Sequence, residues 1–555
     1  MFKARLLVMA LPLFLMVSCA SPIATPVPTS PTLPSKVTTS TPTPPPTTML
    51  TPTPTPEQQS QVLQTPTRFV LSDLTITPTA VKIGEDVTIS IQVSNIGGTD
   101  GSYTVVFKYK NIGGSIGSEN VEVTLKPGQT KTATLTMTNN ESGTYVVNVN
   151  DKVGQYTVTT PMATEHFARQ TALEIVTNNA AIGNGGNNWG GHQTRIVHTQ
   201  QGIFTAYTVE GSGEFSRVWQ LAQRQSDGTW AIIAQGDAGM NPVNLLASPD
   251  GTLHIIGWPN GFGTMYSGKP QNGKIAITSE RIPNKYQGNF PYSSAGIDAS
   301  GNLCILSSDG GQTPGGTFSW ACYLPSKSQW VPQNSQLDFK YCYTYVFTGP
   351  NGQLSLVATR DVRWSALGYS QPPGSFDYVF NAFRYWRTND INSDPIKVLT
   401  FAEEVPTEQY PEPFLNAQTD AYLDTKDRMH ILYTRRGATT GGKDQYRHRI
   451  VSASGTVLFD EEIPKEAGSL CRIFQDNSER FYLLGQSGLL YLMDQEGQKL
   501  GTPIKLDLGG HKVEYSGYYL SVPRTGTSLS DVMDIVFPSD NGRSWLYFQL
   551  DFGKR

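Results

Sequence analysis

The sequence predicts an all-β protein: an immunoglobulin-like β-sandwich followed by a β-propeller, behind a Pro/Thr-rich linker. Three observations carry this reading. Charged residues make up 16% of the 555 residues, 53 glycines and 25 tyrosines are spread along the chain, and apolar stripes at helical spacing are hard to find. Between residues 68 and 160, short runs alternate apolar and polar residues and are separated by turn sequences. From about residue 165 onward a strand–turn–strand pattern recurs at intervals of roughly 45 to 75 residues.

The chain opens with Lys3 and Arg5, an apolar run from Leu6 to Val17, and Ser18 before Cys19. The run is too short to span a bilayer, so residues 1–18 read as a removable export signal. Met16-Val17-Ser18-Cys19 resembles the lipobox of bacterial lipoproteins, with Met16 where leucine is usual. The resemblance implies that Cys19 is lipidated and becomes the new N-terminus. The protein is then expected outside the cytoplasm at the cell surface, anchored by lipid to the cell membrane or an outer membrane. Residues 19–67 follow as a Pro/Thr-rich segment, which favours extended polyproline conformations and acts as a stiff spacer.

Composition excludes some partners. A formal net charge of −4 supplies no basic face to neutralise a run of phosphates, so nucleic acid is not expected. Beyond Cys19 the cysteines are Cys304, Cys322, Cys342 and Cys471, in an export setting that permits disulfides. Cys304 and Cys322 fall on consecutive strands, where a cross-strand pair is one outcome; buried free thiols are the favoured one. No Cys-x-x-Cys spacing suggests zinc, and no nucleotide, haem or flavin signature appears, so neither metal nor cofactor is expected.

The segment 68–160 contains Val87-Thr88-Ile89-Ser90-Ile91-Gln92-Val93, Tyr103 to Phe107, Val121 to Leu125, Ala133 to Met137 and Tyr145 to Val149, with turns at Gly97-Gly98, Pro127-Gly128 and Ser142-Gly143. About seven strands in roughly 90 residues is the signature of an immunoglobulin-like sandwich. Val93 to Gly98, Leu125-Lys126-Pro127-Gly128 and Gly143-Thr144-Tyr145 resemble the CARDB domain of bacterial and archaeal surface proteins. That family is associated with cell adhesion; a plain spacer is the alternative role.

In segment 165–555 the hairpins centre on Gln201-Gly202, Asp250-Gly251, Ser300-Gly301, Asn351-Gly352, Lys426-Asp427 and Asn477-Ser478, with a last copy from Tyr519 through Val536. A blade of four strands cannot bury its faces without neighbours, which favours a ring. Seven blades are favoured over six; Gly368 to Asp390 reads as either an insertion or part of a blade. Thr171 to Val176 is expected to close the ring by adding the outer strand to the blade begun near Tyr519, since an open ring leaves unpaired edges.

Asp540-Asn541-Gly542-Arg543-Ser544-Trp545 resembles the Asp-box of sialidase-type (BNR) propellers, and Ser226-Asp227-Gly228-Thr229-Trp230 is a shortened relative. Thr194-Arg195-Ile196-Val197 is similar to the Arg-Ile-Pro motif of sialidases, with Val197 in place of proline. The resemblance implies that Arg195 clamps a substrate carboxylate through paired hydrogen bonds; a surface charge or an ion pair between blades is the alternative. Such an enzyme needs further arginines, for which Arg363, Arg384, Arg387, Arg447 and Arg449 are candidates, and a Tyr–carboxylate nucleophile, which no motif assigns.

Trp189 and His192 precede the first hairpin; Trp189 suits stacking on a sugar ring and His192 suits proton transfer, with plain packing the alternative for both. Phe383-Arg384-Tyr385-Trp386-Arg387 alternates aromatic and basic side chains, as a groove for acidic polysaccharide would, or as a strand with arginine stems over rings. In Tyr446-Arg447-His448-Arg449 two flanking cations are expected to depress His448 and leave it base-competent. A polysaccharide lyase would draw on His192, Arg195, Tyr343 and His448. The expected function is glycan binding or adhesion at the cell surface, with polysaccharide or glycoprotein as partner. The alternatives are a glycoside hydrolase or lyase acting on acidic sugars, and a protein-binding adhesion scaffold.

Overall fold

In strand Asp86–Asn95 every second side chain is apolar, and Val87, Ile89, Ile91 and Val93 are all fully buried. That period of two is what a sheet with one face on a core requires. The computed structural model describes residues 65–553 except 112–115, 160–166, 184, 214–215, 311–312, 350–351, 372, 374–375, 405–414 and 437–443. The export signal, Cys19 and the linker up to residue 64 lie outside the described residues. The protein is all-β, and the helical segments among the described residues are 3-10 turns of three or four residues.

Phe69–Thr77, Asp86–Asn95 and Thr130–Thr138 form a three-stranded sheet. Ala80–Lys82, Lys152–Thr159, Gly143–Val149, Gly101–Asn111 and Ile116–Leu125 form a five-stranded one. The two share one core, in which Val87, Ile89 and Ile91 meet Val105, Phe107 and Val147.

Beyond residue 168 come seven consecutive small antiparallel sheets, numbered here in chain order. The first strand of each, in sheets 1 to 7, is Ile196–Thr199, Asn244–Ala247, Ser294–Ile297, Tyr341–Gly349, Leu415–Leu423, Arg472–Gln475 and Tyr519–Leu520. The second strands, Gly202–Glu210, Leu253–Gly257, Leu303–Gly310, Gln353–Arg360, Met429–Arg436, Phe481–Leu484 and Val532–Ser539, pair with them. The seven hairpins read from the sequence are these pairs. Each sheet is apolar on both faces, so each shares a core with the next: Leu221 with Leu245, Ile256 with Ile305, Trp320 with Leu356, and Tyr385 with Ile431. Sheets 5, 6 and 7 share another through Leu432, Phe481 and Phe548, and sheet 7 meets sheet 1 through Trp545 and Tyr207.

Gly368 to Asp390 divides between both readings. Val362–Arg363 pairs with Tyr378–Val379 as a small extra hairpin, and Ala382–Thr388 then becomes the third strand of sheet 4. The favoured free-thiol state of Cys304 and Cys322 is corrected: they lie directly opposite each other in sheet 3 and form a disulfide, because facing positions bring the two Cβ atoms within reach. Cys342 and Cys471 are free and buried.

Three of the hairpin turns owe their shape to aspartates one or two residues ahead of the turn pairs. Asp298, Asp424 and Asp476 each accept backbone N–H groups two and four residues ahead: Ser300 and Asn302, Lys426 and Arg428, Ser478 and Arg480. This is the Asx-turn device. In the stretch Asp540 to Trp545, Asp540 accepts from the Ser544 hydroxyl at 2.5 Å and Trp545 is fully buried between sheets 7 and 1. Asp227 accepts from both the backbone N–H and the hydroxyl of Thr229, two residues ahead.

Glu174–Thr177 pairs antiparallel with Ser544–Asp551, the last strand of sheet 7. Residues nearly four hundred positions apart thus complete one sheet, and sheet 1 grips the joint. Arg224 Nε donates to Glu174 Oε2 at 2.9 Å, and Trp230 Nε1 donates to the same oxygen at 3.0 Å. Replacing Glu174 by glutamine removes the charge from a largely buried forked pair and is expected to cost about 1–3 kcal/mol in urea unfolding. An unchanged midpoint and slope would show that the joint bears no load.

Candidate functional site

The segment Gly185 to Thr194 enters sheet 1 through a space where first strands of several sheets meet. Its backbone passes so close to Arg472 that a Cβ on Gly191 would lie 2.5 Å from the Ser516 carbonyl oxygen and 2.8 Å from Arg472 Nη2. Arg472 begins sheet 6 and is 4% exposed. Its Nε donates to Tyr518 O at 2.6 Å, Nη1 to Thr419 O at 2.8 Å and Tyr345 Oη at 3.0 Å, and Nη2 to Ser516 O at 2.6 Å and Gly191 O at 2.9 Å. One guanidinium therefore joins sheets 4, 5 and 6, the start of sheet 7 and the entry segment. Arg195, fully buried, donates to Gln193 Oε1 at 2.7 Å and to Asn187 Oδ1 and Trp189 O at 3.2 Å, and lies 4.9 Å from the Tyr519 ring centre.

Trp189 leads from this centre to a cavity of about 400 Å³ that also takes in Asn241, Tyr286, Phe290, Tyr292, Ser308, Lys340 and Tyr378. Its walls are aromatic: Trp189 and Tyr292 are 5.3 Å apart edge to face, and Tyr343 backs Tyr292 at 5.5 Å. Tyr292 and Tyr343 have φ of +45° and +54°, left-handed conformations that bulky side chains rarely adopt. Tyr343 does so at a bulge where the pairing of sheet 4 shifts register. The Lys340 ammonium lies over Tyr292, 3.9 Å from its centre, and 3.2 Å from Asp361 Oδ2, which also accepts from Cys342 Sγ at 3.0 Å. Asn241 and Ser308 are 2% and 1% exposed, and neither the Asn241 amide nor the Ser308 hydroxyl has a protein partner. Among the described residues no group of three or more His, Cys, Asp or Glu side chains is placed to hold a metal ion.

Of the residues singled out in the sequence, Trp189, His192, Arg195 and Tyr343 come together. His192 stacks edge-on against Trp189 at 6.1 Å and Tyr343 at 5.5 Å. Arg363 lies 5.5 Å over Tyr378, at the cavity's border. The other cations are held in ion pairs elsewhere: Arg384 with Asp338 at 2.7 Å, Arg387 with Asp427 at 2.5 Å, and Arg447 and Arg449 with Asp460 at 2.9 and 2.5 Å. Trp386 is buried in the core between sheets 3 and 4, against Phe318 and Tyr341.

Two expectations are corrected. His448 is depressed by burial first and by His430 next, whose Nδ1 is 3.0 Å from its Nε2; strand alternation turns the flanking Arg447 and Arg449 to the opposite face. His192 does not titrate near neutrality: burial, then Arg524 and Arg195, push it down to about 3. It is a neutral ring at physiological pH and has no proton to give as a general acid.

Arg472, Arg524, Asn241, Ser308, Tyr292 and Lys340 were not singled out. Arg472 did carry a signal, since it opens its hairpin as Arg195 opens the first. The rest sit in connections or unremarkable strands, and only folding gathers them.

The buried neutral His192 also makes a prediction. Unfolded, the ring binds a proton below about pH 6.5, whereas folded it stays neutral to about pH 3, so it favours folding above pH 6.5 and that contribution is lost as pH falls. Replacing His192 by glutamine is expected to flatten the slope of unfolding free energy against pH by about 1.4 kcal/mol per unit between about pH 5.5 and 4. Urea titrations at several pH values measure this; an unchanged slope would mean that the ring already charges in the folded protein.

No protein-family model and no curated protein matches the chain. Among solved structures it is similar to a protein of unknown function from Dyadobacter fermentans, with TM-score 0.37 and 12% identity over 70% of this chain and 100% of that one. Sqt1 of Chaetomium thermophilum gives TM-score 0.37 and 11% identity over 67% and 98%. A β-glucosidase from Erythrobacter marinus gives TM-score 0.16 and 15% identity over 17% of this chain, which spans 15% of the glucosidase.

Proposed function

We propose that this chain is a lipid-anchored surface protein that binds extracellular glycan in the aromatic cavity beside Trp189. The observation that carries the reading is the pair of buried, unpartnered polar side chains, Asn241 and Ser308, set in a wall of aromatic rings. A buried polar group without a partner costs about 1–3 kcal/mol. A sugar hydroxyl supplies the missing donor and acceptor while the apolar side of its ring lies on Trp189 or Tyr292. The cavity also falls within the size range of small-molecule sites, about 300–1,000 Å³.

The seven sheets are read as blades of a propeller. Support comes from the chain of cores between successive sheets, from the core joining the seventh to the first, and from the strand Glu174–Thr177 that completes the seventh. Residues 68–160 are read as a CARDB-like sandwich with a spacer or adhesive role, and Cys19 as the lipid anchor.

Binding is favoured over hydrolysis because Asp309 is the one carboxylate among the described residues lining the cavity, whereas a glycosidase needs two flanking the scissile bond. A sialidase-like clamp is disfavoured because Arg195 is closed off from solvent. One observation favours a lyase as second reading: the rings of His192 and Tyr343 lie 5.5 Å apart, so a neutral imidazole stands beside a phenol.

A glycan array followed by calorimetry tests the proposal. Trp189→Ala and Asn241→Ala are each expected to weaken binding roughly tenfold, with no new reducing ends and no unsaturated product. Absence of any bound glycan would overturn it; turnover lost in Tyr343→Phe would replace it with the lyase reading.

A further inference from the structure

Three guanidiniums, those of Arg195, Arg472 and Arg524, bear on one buried region, and all three push the His192 ring toward its neutral form. Among the described residues one carboxylate answers them. Asp420 lies 3.6 Å from Arg472, and its Oδ2 is occupied by the Ile473 N–H at 2.9 Å. Arg195 and Arg472 are buried and Arg524 is half-buried, so three cations against one anion leave two positive charges in excess, one of them partly open to solvent. Arginine does not shed its proton in proteins, so the excess has to be met by dipoles or by a counterion.

Dipoles meet part of it. Arg472 spreads its charge over four carbonyls and the Tyr345 hydroxyl, and Arg195 over three oxygens. Arg524 is different. Among the described residues it makes one hydrogen bond, Nη1 to His192 O at 2.9 Å, and otherwise lies over the Tyr345 ring at 4.8 Å. Beside it is a second cavity, of about 30 Å³, lined by Arg472, Arg524, Gln193, Asp420 and Thr194 among others. Thr194 is 2% exposed, and its hydroxyl has no protein partner.

We infer that this small cavity is a halide site, taking one chloride ion between the Arg524 guanidinium and the Thr194 hydroxyl. The space matches about one water volume, which admits a monoatomic ion and excludes a sugar acid. The hydroxyl donates to the ion, Arg524 gains the counter-charge that Asp420 leaves unsupplied, and no bond is made or broken. The site is separate from the glycan reading and stands or falls without it.

Thermal unfolding of the full chain at constant ionic strength, with chloride exchanged for gluconate, tests the inference. An ion that binds only the folded state raises Tm with the logarithm of its concentration above Kd, so Tm is expected to climb by a few degrees in chloride, equally in bromide, and not in gluconate. Crystals grown in bromide are expected to give one anomalous peak within hydrogen-bonding distance of Thr194 Oγ1 and Arg524. In Thr194→Val, which keeps the shape and removes the hydroxyl, reaching the same Tm is expected to need at least tenfold more chloride. Equal Tm in chloride and gluconate would overturn the inference, as would a water in place of bromide in the cavity of the unaltered protein.

Discussion

Arg472 is the tie on which the central geometry rests. Its five hydrogen bonds end on carbonyls and a hydroxyl that come from strands and connections up to 281 residues away in the chain, and two of those carbonyls, Gly191 and Thr419, also accept from the Tyr345 hydroxyl. A buried acceptor left unsatisfied costs about 1–3 kcal/mol, so losing the guanidinium unsettles every segment that meets there. One of those segments is the entry segment at Gly191. Two residues before it, the Trp189 carbonyl accepts from Arg195 and from the Tyr519 hydroxyl, and the Trp189 ring forms part of the cavity wall. The cavity wall is thus positioned by charge-assisted hydrogen bonds made one layer behind it.

The cavity is also where the fold departs from relaxed geometry. Tyr292 and Tyr343 both hold left-handed backbone conformations, each at a cost on the order of 1–3 kcal/mol. They are neighbours in space and come from sheet 4 and from the connection into sheet 3. Strain of this kind persists only when surrounding packing imposes it, and it concentrates where a surface has to be presented in a set shape. Here it coincides with the unpartnered amide of Asn241 and hydroxyl of Ser308, and with a lysine ammonium held over an aromatic face.

Much of the strand architecture was legible because it is local. Alternation in Val87 to Val93 and the Gly-centred turn at Asp250-Gly251 are each written in a handful of consecutive residues. The same locality misled the search for a site. Arg447 and Arg449 look like a basic cluster in sequence, but the period of two sends them to one face, where Asp460 from the next strand neutralises both. Phe383, Tyr385 and Trp386 look like a continuous aromatic groove, yet the strand divides them between the cores shared with sheets 3 and 5. Conversely, Asn241, Ser308 and Lys340 have no motif at all; they matter because two connections and one strand of sheet 3 place them at one opening. Trp189, His192 and Arg195 precede the first strand of sheet 1 and Tyr343 lies within the first strand of sheet 4, so each stood beside a hairpin that the sequence pattern marks.

The central claim is that the cavity beside Trp189 is shaped for a sugar. The most direct test is a crystal structure of the chain with bound oligosaccharide. The account predicts a pyranose ring lying on Trp189 or Tyr292 with its hydroxyls within hydrogen-bonding distance of both Asn241 and Ser308. A sugar bound elsewhere on the molecule, with those two side chains still unpartnered, would contradict it.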